Sequence, residues 1–284
     1  MLWFNKNQSS KQEAARTEDV IVPTELKVSY DEGICHNKLQ LLLNQVEEKG
    51  GVDEFIQALA NKHVLFQKAL SKEAIESLDL STIEALLDTV FTARRKLPAV
   101  LSEIPIEVLT NQIKDLLYGE KELLERINTF VDLFETDNRK VKRAAWDFAA
   151  ELLHFNAPEK YPHMSKWVWN AGELSGAYRE FLAGSDSLSE IPIGGEPGDF
   201  EATRVWLAEQ LGQQGFYRDI HFLIDLLIAQ AYAEYVLGMS KGLGMFGAQF
   251  GGAEAEPLEF LVKLLGIDPP RKQGLTRLKK SVVH

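Results

Sequence analysis

The chain reads as all-α, an irregular and largely antiparallel bundle of about ten helices with polar termini and a glycine-rich loop near 238–256. Three observations carry this reading. Apolar residues recur at i, i+3, i+4 and i+7 in one segment after another from Lys38 onward. The segments are joined by short Gly- or Pro-marked connections, which favour antiparallel neighbours. No useful length of apolar/polar alternation marks a strand, and no repeat of fixed period is present.

In order, residues 1–37 form a polar N-terminal arm, interrupted by the apolar Val20-Ile21-Val22 before Pro23. The first helix is expected from Lys38, with Leu39, Leu42, Leu43 and Val46 as its inward stripe, and Gly50-Gly51 stop it. A second runs from about Val52 to Leu70, with Phe55, Leu59, His63 and Phe66 at helical spacing. Ser81-Thr-Ile-Glu84 has the form of a capping box and predicts a helix over 82–96. Pro105 suits the first turn of the next, ending at Gly119, and another covers about 120–134. The helix at 138–155 is followed by a turn built on Asn156, Pro158 and Pro162 and by a helix over 165–182. Residues 183–199 are rich in Gly, Ser, Asp and Pro and read as an exposed loop where a hinge or lid would sit. Helices over 200–211 and 217–240 follow, the second apolar around most of its circumference and therefore central. A short helix from Pro257 to Leu265 closes a single helical domain over 38–266, with a subdivision allowed near 183–199. The tail 267–284 is basic.

Composition bounds the function. With 284 residues and a 45% hydrophobic share the chain can bury a large core. A formal net charge of −11 opposes phosphate backbones and anionic lipid, so nucleic acid is disfavoured as a partner. The single cysteine, Cys35, excludes an internal disulfide and points to the cytoplasm. The N-terminus lacks the apolar core of a secretion signal. The most apolar stretch, 220–237, is interrupted by His221, Asp225 and Glu234 and reads as a buried helix rather than a membrane span.

Residues 139–170 gather two of the six histidines and three of the five tryptophans. On the helix here, Val141, Ala145, Phe148 and Leu152 make the inward stripe. Asp147, Glu151 and His154, at i, i+4 and i+7, stack on another side together with Arg143, either as a solvated face or as an acid/base or metal face. Glu151-Leu-Leu-His154 has the Glu-x-x-His spacing of two-metal helical bundles, but no second copy exists, so no metal and no cofactor is assigned. On the apolar helix, Arg218, Asp219, His221 and Asp225 form a second polar set, with His221 and Asp225 four apart and able to hydrogen-bond. If the two helices meet, Glu151, His154, His221 and Asp225 converge on one cleft, with His163 and Trp167 at its mouth. Trp146, Trp167 and Tyr232 are the candidate pocket aromatics, although aromatics at helical spacing are commonly core.

Weaker signals are set aside. Gly242-Leu-Gly-Met-Phe-Gly247 matches G-x-G-x-x-G but follows a helix rather than a strand. Cys35-His36 has no second cysteine to assist it. The turn LLHFNAPEKYP, 152–162, is similar to a helix-then-proline turn of helical DNA-repair glycosylase-like proteins. Ser165 stands where such segments carry an aspartate, no glycine-rich hairpin accompanies the turn, and the charge opposes DNA, so that family is not assigned. The expected role is an accessory or protein-interaction factor whose partners are other proteins, with self-association compatible. The alternative is a helical enzyme or a small-ligand or metal-binding protein that uses the Glu/His/Asp cluster.

Overall fold

The computed structural model describes residues 20–134, 136–184, 190–243 (backbone alone from 239) and 256–268. Among them are ten α-helices and no strand, so the protein is an all-α multi-helix bundle. Two isolated bridges, Tyr30 with Leu182 and Asn170 with Ser175, tie loops together.

Helix α1, Glu32–Glu47, begins six residues before the position expected from periodicity. The cause is Asp31, whose side chain accepts from the Ile34 amide at 2.9 Å and caps the first turn. Cys35 thereby joins the buried stripe Leu39, Leu42 and Val46. The preceding segment lies against the start of α8 (Pro197–Gln213), where the Thr24 amide donates to the Gly198 carbonyl at 3.0 Å and the Thr24 hydroxyl to Asp199 at 2.8 Å. Gly50 and Gly51 have φ of 104° and 84°, a pair of left-handed residues that stops α1 and starts α2, Val52–Leu70.

Helix α3, Leu80–Asp88, is shorter than 82–96 and is not capped by Ser81. Asp79 takes that role, accepting from the Thr82 amide at 2.9 Å, while Ser81 donates its hydroxyl to the same carboxylate. Thr89 is its C-cap, with its hydroxyl donating to the Leu86 carbonyl at 2.7 Å. Helices α4 (Pro98–Leu101), α5 (Ile106–Tyr118) and α6 (Leu123–Asp132) follow, α5 having its expected stripe Leu109, Ile113, Leu116 and Leu117 buried.

The helix expected over 165–182 does not form. Residues 166–168 make a turn, and a 3₁₀ segment, Ala177–Phe181, is the only helical piece. Leu174 at φ 47° and Gly176 at φ 130° break the helical path, and a side chain on Gly176 would meet the Val168 carbonyl oxygen at 2.6 Å. The loop after it is anchored, with Ile191 and Ile193 buried and the Trp169 indole donating to the Ile193 carbonyl at 3.2 Å. Most of the glycine-rich 238–256 and all of 271–284 lie outside the described residues.

Two helices organise the core. Helix α7, Arg139–Asn156, packs on α2, α5 and α6. Its residues 144–155 are buried on nearly every side, because Ala144, Ala145, Ala149 and Ala150 let neighbouring backbones come close. Helix α9, Ile220–Leu243, packs on α1, α2, α8, the 3₁₀ segment and α10 (Pro257–Leu264). By length and composition Ile220–Gly238 is apolar enough to cross a membrane, yet 61% of its most apolar window is buried inside the protein. Helix α2 touches both α7 and α9 and holds them beside each other.

Candidate functional site

The polar stripe of α7 faces the interior. Asp147, Glu151 and His154 are each 1% exposed, so the solvated-face expectation is corrected. The reason lies in the neighbours: α2 and the 157–165 turn cover that side, Lys62 and His163 pair with Glu151, and the Lys166 amide just beyond the turn donates to Asp147. Pro158 and Pro162 bend the chain back so that the Tyr161 carbonyl accepts from His154 Nδ1 at 2.8 Å, and His163 stacks on His154 at 4.8 Å and 13°.

From α9, Asp225 reaches this pair. Its Oδ2 lies 2.7 Å from His154 Nε2 and its Oδ1 lies 3.4 Å from His163 Nδ1. His163 Nε2 lies 3.1 Å from the Ser165 hydroxyl and 3.5 Å from Glu151 Oε1. Glu151 Oε2 in turn accepts from the Lys62 ammonium at 2.7 Å. That ammonium also donates to the Leu265 carbonyl at 2.8 Å and the Thr89 carbonyl at 3.2 Å, and lies 4.1 Å from the centre of the Phe155 ring. The result is a chain of hydrogen-bonded and ion-paired groups, Lys62, Glu151, His163, Asp225 and His154, closed from solvent.

The electrostatics follow from burial set against pairing. Burial pushes the Lys62 ammonium down, with Glu151 resisting. Burial works against ionised Glu151, but Lys62 and His163 overcome it and hold the carboxyl below its ordinary value. For Asp225 burial is likewise outweighed, by His154 and then His163, and its carboxyl lies well below the usual carboxylate range. His163 loses to burial and gains more from Asp225 and Glu151, so it is pulled up to about 9. Asp147 stands apart. It accepts from the Lys166 amide at 2.7 Å, and burial raises its carboxyl.

Of the residues singled out from the sequence, Glu151, His154, His163 and Asp225 come together, and Asp147 lies one turn away on the same stripe. His221 does not complete the set. It is half-buried against Phe222, burial lowers its imidazole, and in place of the expected bond Asp225 Oδ2 pairs with His154 Nε2 at 2.7 Å. Arg218 is exposed. His163 and Trp167 are not at a mouth. Trp167 is 1% exposed, its ring 5.0 Å from His163 and 5.7 Å from Tyr232. Trp146 is half-buried, donates its indole N–H to the Met164 carbonyl at 2.8 Å, and carries Lys166 Nζ 3.4 Å over its ring. Lys62 and Ser165 were missed. The signal for Lys62 was available, since 59, 62, 66 and 70 share one face of α2 and the other three are apolar.

The chain matches no family model, no curated protein and no solved structure. The cluster can bind a proton or a cation between His154, His163 and Asp225, and it ties α2, α7, α9 and the 157–165 turn to one another.

Proposed function

We propose that this protein is a helical accessory factor that works through its surface on other proteins, with the Glu/His/Asp cluster serving as an internal tie. The observation that carries the reading is closure. Glu151, His154, His163 and Asp225 are 1–3% exposed and face one another. An enzyme using these groups would need a substrate within hydrogen-bond reach of them. A reducing, cytoplasmic setting belongs to the same proposal, supported by the lone buried thiol of Cys35, which burial pushes up to about 12.

The test pairs a surface variant with a cluster variant. Val64 and Leu65, neighbours on α2, are 40% and 42% exposed. Partners cross-linked to the full-length chain are identified and the binding is rebuilt from purified components. Binding that survives Asp225→Asn and weakens about tenfold in Val64→Asp/Leu65→Asp, a loss of about 1.4 kcal/mol, supports the reading. Turnover of a small-molecule panel that is lost in Asp225→Asn, with no protein bound, overturns it.

A further inference from the structure

We infer that His154, His163 and Asp225 form a binding site for one divalent transition-metal ion of the zinc type. The argument begins with which ring nitrogens carry hydrogen. His154 Nδ1 lies 2.8 Å from the Tyr161 carbonyl oxygen, which can only accept, so Nδ1 carries a hydrogen. Its Nε2 is then the nitrogen turned to Asp225 Oδ2, 2.7 Å away. His163 Nε2 faces Ser165 at 3.1 Å and the acceptor Glu151 Oε1 at 3.5 Å, which assigns its hydrogen to that nitrogen. His163 Nδ1 is left facing Asp225 Oδ1 at 3.4 Å, wholly buried and without a hydrogen bond.

With both imidazoles neutral, as a metal requires, the two remaining ring nitrogens and both oxygens of one carboxylate would turn their lone pairs on a common space now bridged by the His154–Asp225 hydrogen bond. Lone pairs held together in a dry interior need positive charge between them, supplied by protons or by a metal cation. The surroundings favour the cation. A metal-binding histidine ordinarily donates its other ring N–H to a backbone carbonyl or a carboxylate. His154 does so to Tyr161 and His163 is placed to do so to Glu151, whose other oxygen is held by Lys62 at 2.7 Å. A nitrogen-rich set with one carboxylate suits zinc, cobalt, nickel or copper rather than magnesium or calcium. Asp225 binding through both oxygens would bring the donors to four, the number common in closed zinc sites.

The spacing is near what binding requires. One donor atom from each of His154, His163 and Asp225 lies within 4.8 Å of the other two. A cation bonding two imidazole nitrogens at about 2.0–2.1 Å keeps them no more than about 4.2 Å apart. The remaining closure, below about 1 Å, needs the rings to leave their stacked arrangement, because lone pairs in parallel planes cannot meet on one ion. Metal uptake therefore turns His163 away from His154, and the closed site holds the ion as a structural element acquired when the chain folds.

The test uses the full-length chain carrying no histidine tag, unfolded in chelator and refolded with Zn²⁺ or Co²⁺, with bound metal measured by elemental mass spectrometry. The proposal expects about one ion per chain, a raised melting temperature, and an intense visible cobalt spectrum of a four- or five-coordinate buried ion. Asp225→Asn and His163→Gln are expected to weaken uptake by about 100-fold or more, since loss of a ligand exceeds loss of its supporting partner. Asp147→Asn, outside the ligand set, keeps the ion. A folded wild-type chain that takes up less than about a tenth of an equivalent overturns the proposal in favour of protons alone. Uptake unchanged in both ligand variants assigns the ion to another place and overturns it equally. Should either variant fail to fold, the wild-type cobalt spectrum decides, because a weak octahedral spectrum means a surface ion.

Discussion

Replacing Lys62 by methionine tests the closed cluster most directly. The substitution keeps the stem of the side chain and removes the ammonium that pairs with Glu151 at 2.7 Å and satisfies the Leu265 and Thr89 carbonyls. Glu151 is then left as a buried carboxylate whose remaining partner, His163, is 3.5 Å away. Removing one member of a buried pair typically costs about 3–5 kcal/mol, because the other charge stays buried and uncompensated. Against a total stability of about 5–15 kcal/mol this is a large share. At roughly 2 °C per kcal/mol for a chain of this size, the melting temperature falls by roughly 8 °C. Urea unfolding of wild type, Lys62→Met, Glu151→Gln and the double variant closes a thermodynamic cycle. The double variant is expected to recover at least about 2 kcal/mol of the loss, since it leaves no charge unpaired. A cost below about 1 kcal/mol for Lys62→Met, the range of exposed pairs, would refute the closed-cluster reasoning.

Further outcomes are measurable on the same purified chain. With metal removed by chelator, His163 is raised to about 9 from an ordinary 6.5. A raised imidazole stabilises the fold fully below pH 6.5 and loses that contribution as pH climbs through about 9. The stability difference between wild type and His163→Gln should therefore shrink by roughly 3 kcal/mol from pH 6 to 9.5, read by urea midpoints, and a flat difference would count against the pairing. Gly266 has φ 66°, and a Cβ there would strike the Thr89 carbonyl oxygen. Gly266→Ala is expected to cost more than about 2 kcal/mol by thermal unfolding, whereas Gly215→Ala, left-handed but in open space, costs less. Lys166 is lowered to about 8 by burial and by Arg143, against Asp147. Half its amines are then neutral near pH 8, so amine-directed labelling followed by peptide mapping should find it among the fastest lysines, and a rate equal to that of exposed Lys142 would contradict this.

The helical class and the main helices were legible because period and punctuation agreed, as in α5 between Pro105 and Gly119. So was the α7 stripe, since spacing on a helix places side chains in line whatever they face. What the stripe faced was not legible. Asp147, Glu151 and His154 look like a solvated edge until α2 and the chain after the 157–165 turn are laid over them, and the pairing of Lys62 with Glu151 joins residues 89 apart in sequence. Lys62 was hidden by its type, because a lysine is read as surface unless its spacing is given more weight than its charge. The failed helix over 165–182 turned on Leu174, a non-glycine residue with positive φ that no propensity announces. At α3, Asp79 displaced Ser81 as cap by standing one residue before the helix with a free acceptor.

The Lys62 ammonium draws in carbonyls from Thr89 and Leu265, the latter 203 positions along the chain, while His154 meets Asp225 across 71. Contacts that close such long loops are slow to assemble, since the entropy of closure must be overcome before they return anything. They are expected to form late, after the local pairing of α5, α6 and α7, and φ-values near zero at Lys62 and Asp225 would show it. Weakening them would leave the refolding rate nearly unchanged and would hasten unfolding. On that expectation the charged centre sets how long the finished molecule persists rather than how quickly it is made.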